Sequence, residues 1–186
     1  MRIGLLFGTF DPIHVGHIKV AINVHKADVV DNIWFIITPQ SPFKKNQKTS
    51  SKEHRFEMTN IAIENYSNFF ASNIEFHLPK PNYTSATLRY IQNQYPHDDF
   101  YIIMGADNYD HINKWKDSQY ILNNFDICVY KRSGYIADVD KNIINISGNY
   151  IDVSSSEIRN QISSTDVNKL LDPKVLAYIN QHTIYN

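Results

Sequence analysis

Short apolar runs, separated by polar and turn-rich stretches, set the rhythm of this chain. The first run, Ile3-Gly4-Leu5-Leu6-Phe7, is bounded and β-prone, which predicts a buried strand. Gly8, Asp11 and Pro12 break it. A helix follows from about His14 to Val29, with Ile18, Ile22 and Val29 among its apolar positions. Ile33-Trp34-Phe35-Ile36-Ile37 predicts a second strand, ending in the loop Thr38 to Asn46 with its two prolines. Ser50 and Glu53 have capping-box spacing, so the next helix is expected to start there and reach about Tyr66. Alternation of Ile74, Phe76 and Leu78 predicts a third strand over Ser72 to Leu78, and Pro79 to Asn82 is a loop. Thr84 to about Tyr95 is a predicted helix. Phe100 to Met104 is a fourth strand stopped by Gly105, followed by a polar helical stretch containing Trp115. Phe125 to Tyr130 and Ile143 to Ile146 complete six strands. Ser154 to Ile162 is a helix with its own capping-box spacing, Ser154 to Glu157, and Pro173 opens the last one.

Strands alternating with helices predict an α/β fold: a doubly wound, Rossmann-like parallel sheet with helices on both faces. No repeat, low-complexity segment or linker interrupts it, so residues 1–186 are expected to form one domain. Ligands of such sheets bind beyond the carboxyl ends of the strands, at the switch point. The loops after the first, second and fourth strands, which hold His14, Lys44 and Asp107, are therefore expected to converge.

Composition narrows the possibilities. The formal net charge is -1 and no long basic run exists, so nucleic acid is not an expected partner and phosphate recognition would be local. One cysteine, Cys128, excludes an intrachain disulfide, and its apolar neighbours Ile127 and Val129 favour a buried structural thiol. There is no signal-peptide pattern, and no apolar run approaches the roughly 20 residues that span a bilayer, so neither membrane nor secretion is expected and a cytoplasmic location is.

The chemistry concentrates in Gly8-Thr9-Phe10-Asp11-Pro12-Ile13-His14-Val15-Gly16-His17. A strand, a tight turn and a helix start present unpaired backbone N–H groups, and the helix dipole favours an anion there. His14 and His17, three residues apart, fall on one helical face and can point at one ligand. Gly8 and Gly16 allow close approach where a side chain would intrude. Two ring N–H donors beside backbone N–H groups suit a phosphate chain; a metal site is the lesser alternative, since no Cys, Asp or Glu stands at a spacing that clearly completes a tetrahedral set.

This turn resembles the HxGH signature of the nucleotidylyltransferase superfamily. Four later segments resemble, in order, those of the bacterial nicotinate mononucleotide adenylyltransferases: Ser41-Pro42-Phe43-Lys44, Tyr83-Thr84-Ser85-Ala86-Thr87-Leu88, Gly105-Ala106-Asp107-Asn108 with Trp115 downstream, and Val153-Ser154-Ser155-Ser156-Glu157-Ile158-Arg159. The resemblance implies transfer of AMP from ATP to nicotinate mononucleotide, giving nicotinate adenine dinucleotide and pyrophosphate in NAD biosynthesis, with Mg²⁺ carried by the ATP phosphates. It implies catalytic roles for His14, His17 and Lys44. ATP contacts would come from Gly8, Thr9, Phe10, His14, His17, Gly105, Asp107, Ser154, Ser155, Ser156 and Arg159, and contacts to the pyridine substrate from Thr84, Trp115 and Lys116. Three positions depart from the pattern: Phe7 stands where the family often has glycine, Phe43 replaces His and Ala86 replaces Asp, which leaves open the choice between acid and amide mononucleotide. Structural duties compete at several positions: Asp107 as a helix cap, Trp115 as core, the serines as caps, Arg159 as a partner of Glu157 or Asp152. The alternatives are another adenylyl- or cytidylyltransferase of the superfamily, such as one acting on phosphopantetheine, and a non-catalytic nucleotide-binding module. Oligomeric state is not legible.

Overall fold

The computed structural model describes residues 1–42, 49–130, 142–151, 153–162 and 164–185, with backbone alone at 165 and 168. Strands β1 (Arg2–Gly8), β2 (Asn32–Ile37), β3 (Phe69–Ser72), β4 (Asp99–Gly105), β5 (Asp126–Tyr130) and β6 (Ile143–Ile146) form one sheet. Their order is β3-β2-β1-β4-β5-β6, and every pairing is parallel. Helices α1 (Val15–Lys26), α2 (Lys52–Ile63), α3 (Thr84–Gln94), α4 (Ala106–Tyr109), α5 (Ser118–Asn124), α6 (Ser155–Asn160) and α7 (Pro173–Gln181) cover its faces.

The apolar runs are continuous because the central strands are buried on both sides. Alternate residues feed two separate cores. Leu6, Ile33, Phe35, Ile37, Ile103 and Cys128 face α1, α2 and α7. Ile3, Leu5, Ile36, Ile102, Met104, Ile127 and Val129 face α3 and α5. Cys128 is fully buried, and that burial pushes its thiol up to about 12, as a structural thiol requires.

Several element boundaries differ from the sequence expectation. The third strand is Phe69–Ser72, and Ile74–His77 is a 3₁₀ turn. That turn wraps the sheet edge, so Phe76 packs on one core and Ile74 on the other, an alternation that imitates a strand. Helix α2 is capped by Ser51, whose side chain accepts from the His54 N–H at 3.1 Å, because Ser50 is engaged elsewhere. Helix α1 ends at Lys26, and α6 stops at Asn160. The polar stretch after β4 divides into α4, a 3₁₀ turn at Ile112–Lys114, and α5. Both capping predictions for the later helices hold: Ser154 and Glu157 form a reciprocal box, and Pro173 occupies the first turn of α7 behind the Asp172 cap.

Candidate active site

Chain order in the sheet reverses between β1 and β4, and the carboxyl ends of these strands open into a cleft. Two adjoining lobes share Phe7, Gly8, Thr9 and Asn108. The smaller, about 280 Å³, is lined by Phe10, His14, Gly16, His17, Ser154, Ser155, Ser156 and Arg159 among others. The larger, about 510 Å³, is lined by Thr38, Ser41, Pro42, Glu75, Asn82, Tyr83, Thr84, Lys114, Trp115 and Lys116 beside the shared residues.

His14 is the N-cap of α1 in extended conformation, and His17 is its third residue. Their pairing is therefore a capping geometry more than a shared helical face. The His14 N–H donates to His17 Nδ1 at 3.3 Å. An accepting Nδ1 puts the proton of the neutral ring on Nε2, where it can be donated away from the helix. The two rings lie 3.7 Å apart, centroid to centroid. Gly16 permits this: a Cβ there would sit 3.0 Å from His14 Nδ1 and 3.1 Å from Val153 Cγ1. Gly8 plays the same part for Phe10, whose ring would lie 2.8 Å from an added Cβ. Phe10 itself is buried at φ 48, a left-handed conformation that a bulky residue adopts only when its surroundings enforce it. Both glycines thus make room for the turn's own rings.

Asp11, 1% exposed, anchors the turn. Its carboxylate accepts from Ser50 N–H at 3.2 Å and Ser50 Oγ at 2.5 Å, and from Tyr185 Oη at 2.6 Å. Burial and the adjacent carboxylate hold the Tyr185 phenol well above its ordinary range, which keeps it a donor. Arg159 donates to the Asp11 carbonyl at 2.6 Å and to Ser156 Oγ at 3.1 Å. Ser155 Oγ donates to the Pro12 carbonyl at 2.9 Å, so the α6 start is pinned to the same turn. Among the described residues no ion pair joins Arg159 to Glu157, which accepts from Ser154 N–H and Oγ, each at 2.8 Å; Asp152, the other expected partner, lies outside the described residues.

A second anchor lies beneath. Arg55, 1% exposed, donates to the carbonyls of Thr9 at 2.7 Å, Thr38 at 2.8 Å, Ser50 at 3.1 Å and Pro39 at 3.3 Å. It ties the ends of β1 and β2 to the start of α2. Burial lowers its pKa, and the Asp11 charge works against that.

The expected site residues thus divide. Gly8, Thr9, Phe10, His14, His17, Ser154, Ser155, Ser156 and Arg159 line one lobe; Thr84, Trp115 and Lys116 line the other. Gly105 and Asp107 line neither. Gly105, not Asp107, is the N-cap of α4, and the exposed Asp107 carboxylate folds back over it, 2.5 Å from where a Gly105 Cβ would stand. Its neighbour Asn108 reaches both lobes instead. Lys44 and Phe43 lie outside the described residues, while Ser41 and Pro42 of the same segment line the larger lobe. Ala86 is exposed and lines neither lobe. Lys116 Nζ sits 4.5 Å above the Tyr83 ring. Asn108, Glu75 and Arg55 were not legible as site residues.

The sheet, its switch-point cleft and the histidine turn define a nucleotide-binding transferase architecture, and the comparisons agree. A Cytidylyltransferase-like family profile matches residues 5–169, so the chain belongs to that family. Its relatives are narrower in kind. A protein of Christiangramia forsetii named "Probable nicotinate-nucleotide adenylyltransferase" is 42% identical, covering 99% of this chain and 98% of the relative. One of Bacteroides fragilis with the same name is 34% identical, covering 98% and 92%. The chain is therefore a member of the nicotinate-nucleotide adenylyltransferase family. The fold also matches a Plasmodium falciparum nicotinic acid mononucleotide adenylyltransferase complexed with NaAD, at TM-score 0.81 and 22% identity, covering 99% of this chain and 97% of that one. Among the described residues no helix is long and apolar enough to cross a membrane.

Proposed function

We propose that this protein transfers the adenylyl group of ATP to nicotinate mononucleotide, forming nicotinate adenine dinucleotide and pyrophosphate. One observation carries the reading: a lobe walled by paired histidines and an arginine adjoins a lobe walled by a tryptophan, across the edge Phe7, Gly8, Thr9. Two nucleotides bound in these lobes would meet at that edge. A phosphate oxygen of the mononucleotide attacks the α-phosphorus, and the bond to the pyrophosphate oxygen breaks in line. The attacking oxygen is already ionised near neutral pH, so positioning and charge neutralisation supply the catalysis.

In this reading His14 and His17 hold the triphosphate and stabilise charge at the α-phosphate and leaving group. Gly8, Thr9 and Phe10 border it, Ser154, Ser155, Ser156 and Arg159 close the nucleotide side, and Lys44 supplies a further charge. Asn108, which lines both lobes, stands beside both nucleotides, next to the Asp107 expected on the ATP side. Trp115 stacks on the pyridine, with Thr84 and Lys116 beside it. The donors around the smaller lobe are ring N–H groups and a guanidinium, which suit phosphate oxygens. Among the described residues no three His, Cys, Asp or Glu side chains gather to hold a metal ion. Mg²⁺ enters on the triphosphate, held by phosphate oxygens and water. We read the enzyme as a single domain working in the cytoplasm.

The test is pyrophosphate release from ATP and Mg²⁺ with nicotinate mononucleotide, nicotinamide mononucleotide or phosphopantetheine offered separately, and the product identified by mass. Preference for a pyridine mononucleotide is expected. Activity with phosphopantetheine alone would overturn the assignment of the larger lobe.

A further inference from the structure

Glu75 is a carboxyl group in the larger lobe with no part in the chemistry above. It sits on the 3₁₀ turn after β3, is 1% exposed, and lines the lobe with Thr38, Asn82 and Thr84. Thr87 Oγ1 of α3 donates to its Oε1 at 2.7 Å, and Asn82 Nδ2 donates to its backbone carbonyl at 3.0 Å. Its Oε2 is buried with no hydrogen-bond partner among the described residues. An ionised carboxylate would want good donors at both oxygens; Thr38 stands close enough to favour the ionised form, yet Oε2 makes no hydrogen bond of ordinary geometry among the described residues.

The groups packed on it are uncharged: Thr87 from α3, Thr38 from the end of β2, and the Asn82 amide. The charged or titratable groups on the lobe wall are Lys114, Lys116 and Tyr83, and His77 on its own turn is exposed. No cation pairs with Glu75 among the described residues.

We propose that Glu75 sets the discrimination between acid and amide pyridine mononucleotides, as a neutral acid tolerating the substrate carboxylate and as an anion opposing it. This rests on the reading of the larger lobe as the pyridine site. Burial pushes the Glu75 carboxyl up to about 7, against the Thr87 and Thr38 hydroxyls, which favour the ionised form. Discrimination is then expected to change near neutral pH. Like charges about 12 Å apart across the lobe differ from the neutral case by about tenfold in binding at an effective dielectric near 20.

The experiment measures kcat/KM for the two mononucleotides at saturating ATP and Mg²⁺, from about pH 6 to about pH 9, and reads their ratio. If the amide is not turned over, its inhibition constant against the acid replaces its kcat/KM. Titration of the shared phosphate, of ATP and of the histidines affects both substrates and cancels. In the wild type the acid-to-amide ratio is expected to fall about tenfold through one midpoint near 7. Glu75→Gln is expected to hold the ratio flat at its low-pH value. Thr87→Val, which removes the larger of the two hydroxyl interactions favouring the anion, is expected to move the midpoint upward; it decides the matter with the wild type should Glu75→Gln fail to fold. A flat wild-type ratio, or an unchanged slope in Glu75→Gln, overturns the role of Glu75 while leaving the adenylyl transfer intact. Failure of both mononucleotides to bind or react overturns the pyridine assignment and this inference with it.

Discussion

Replacing Glu75 by glutamine should change the pH dependence of folding whatever the enzyme binds. An ordinary glutamate titrates near 4.5, and burial raises this one to about 7. Between those values the folded chain holds a neutral carboxyl that the unfolded chain ionises, so the unfolded state binds fewer protons. A raised carboxyl pKa thus contributes stability that is complete below the unfolded value and lost as pH rises through the folded one. At 1.36 kcal/mol for each tenfold step, the whole loss is about 3 kcal/mol, of which about 2–3 kcal/mol falls between about pH 5 and about pH 8.5. Glutamine keeps the shape and cannot ionise, so it loses none of this. Urea unfolding of both proteins at those two pH values provides the assay. Glu75→Gln is expected to gain on the wild type by about 2–3 kcal/mol in going to the higher pH, whatever its offset at the lower one. A gap that does not move with pH would show that this carboxyl is solvated in the native state and refute its burial.

Three further outcomes follow from the anchors and the larger lobe. Tyr185→Phe removes a donor 2.6 Å from the buried Asp11 carboxylate; it should cost about 1–3 kcal/mol in urea unfolding, and an unchanged midpoint would detach the chain end from the turn. Arg55→Met leaves the carbonyls of Thr9, Thr38, Ser50 and Pro39 without their donor. A loss of at least about 3 kcal/mol is expected by the same assay, and a change below about 1 kcal/mol would refute the clamp. Trp115→Ala should raise the apparent KM for the mononucleotide and leave that for ATP nearly unchanged in steady-state kinetics; the reverse pattern refutes stacking on the pyridine.

The strands were legible where burial on both faces gave unbroken apolar runs, as at Ile33 to Ile37 and Phe100 to Met104. Of the two edge strands, β6 was legible and β3 was not. Phe69–Ser72 has only four residues, and the neighbouring 3₁₀ turn carried the more strand-like alternation. The histidine turn was legible because its geometry is local: cap, third helical residue and intervening glycine all lie within ten residues of Gly8. What holds the turn was hidden for the opposite reason. Asp11 meets Tyr185 across a separation of 174 residues, and an arginine in the first turn of a polar helix gives no sign that it is buried against four carbonyls. That Asn108 and not Asp107 lines the two lobes was beyond pattern as well. Both lie on the single turn of α4, and only the direction of that turn decides which faces the cleft.

The measurement nearest to the heart of this reading is dinucleotide formation by His17→Ala beside the wild type, with ATP, Mg²⁺ and nicotinate mononucleotide, and with circular dichroism and urea unfolding to establish that the variant is folded. If the histidine turn neutralises the charge that builds up during adenylyl transfer, the folded variant should lose on the order of 100-fold or more in turnover. Near-normal turnover in a folded His17→Ala protein would place the chemistry elsewhere.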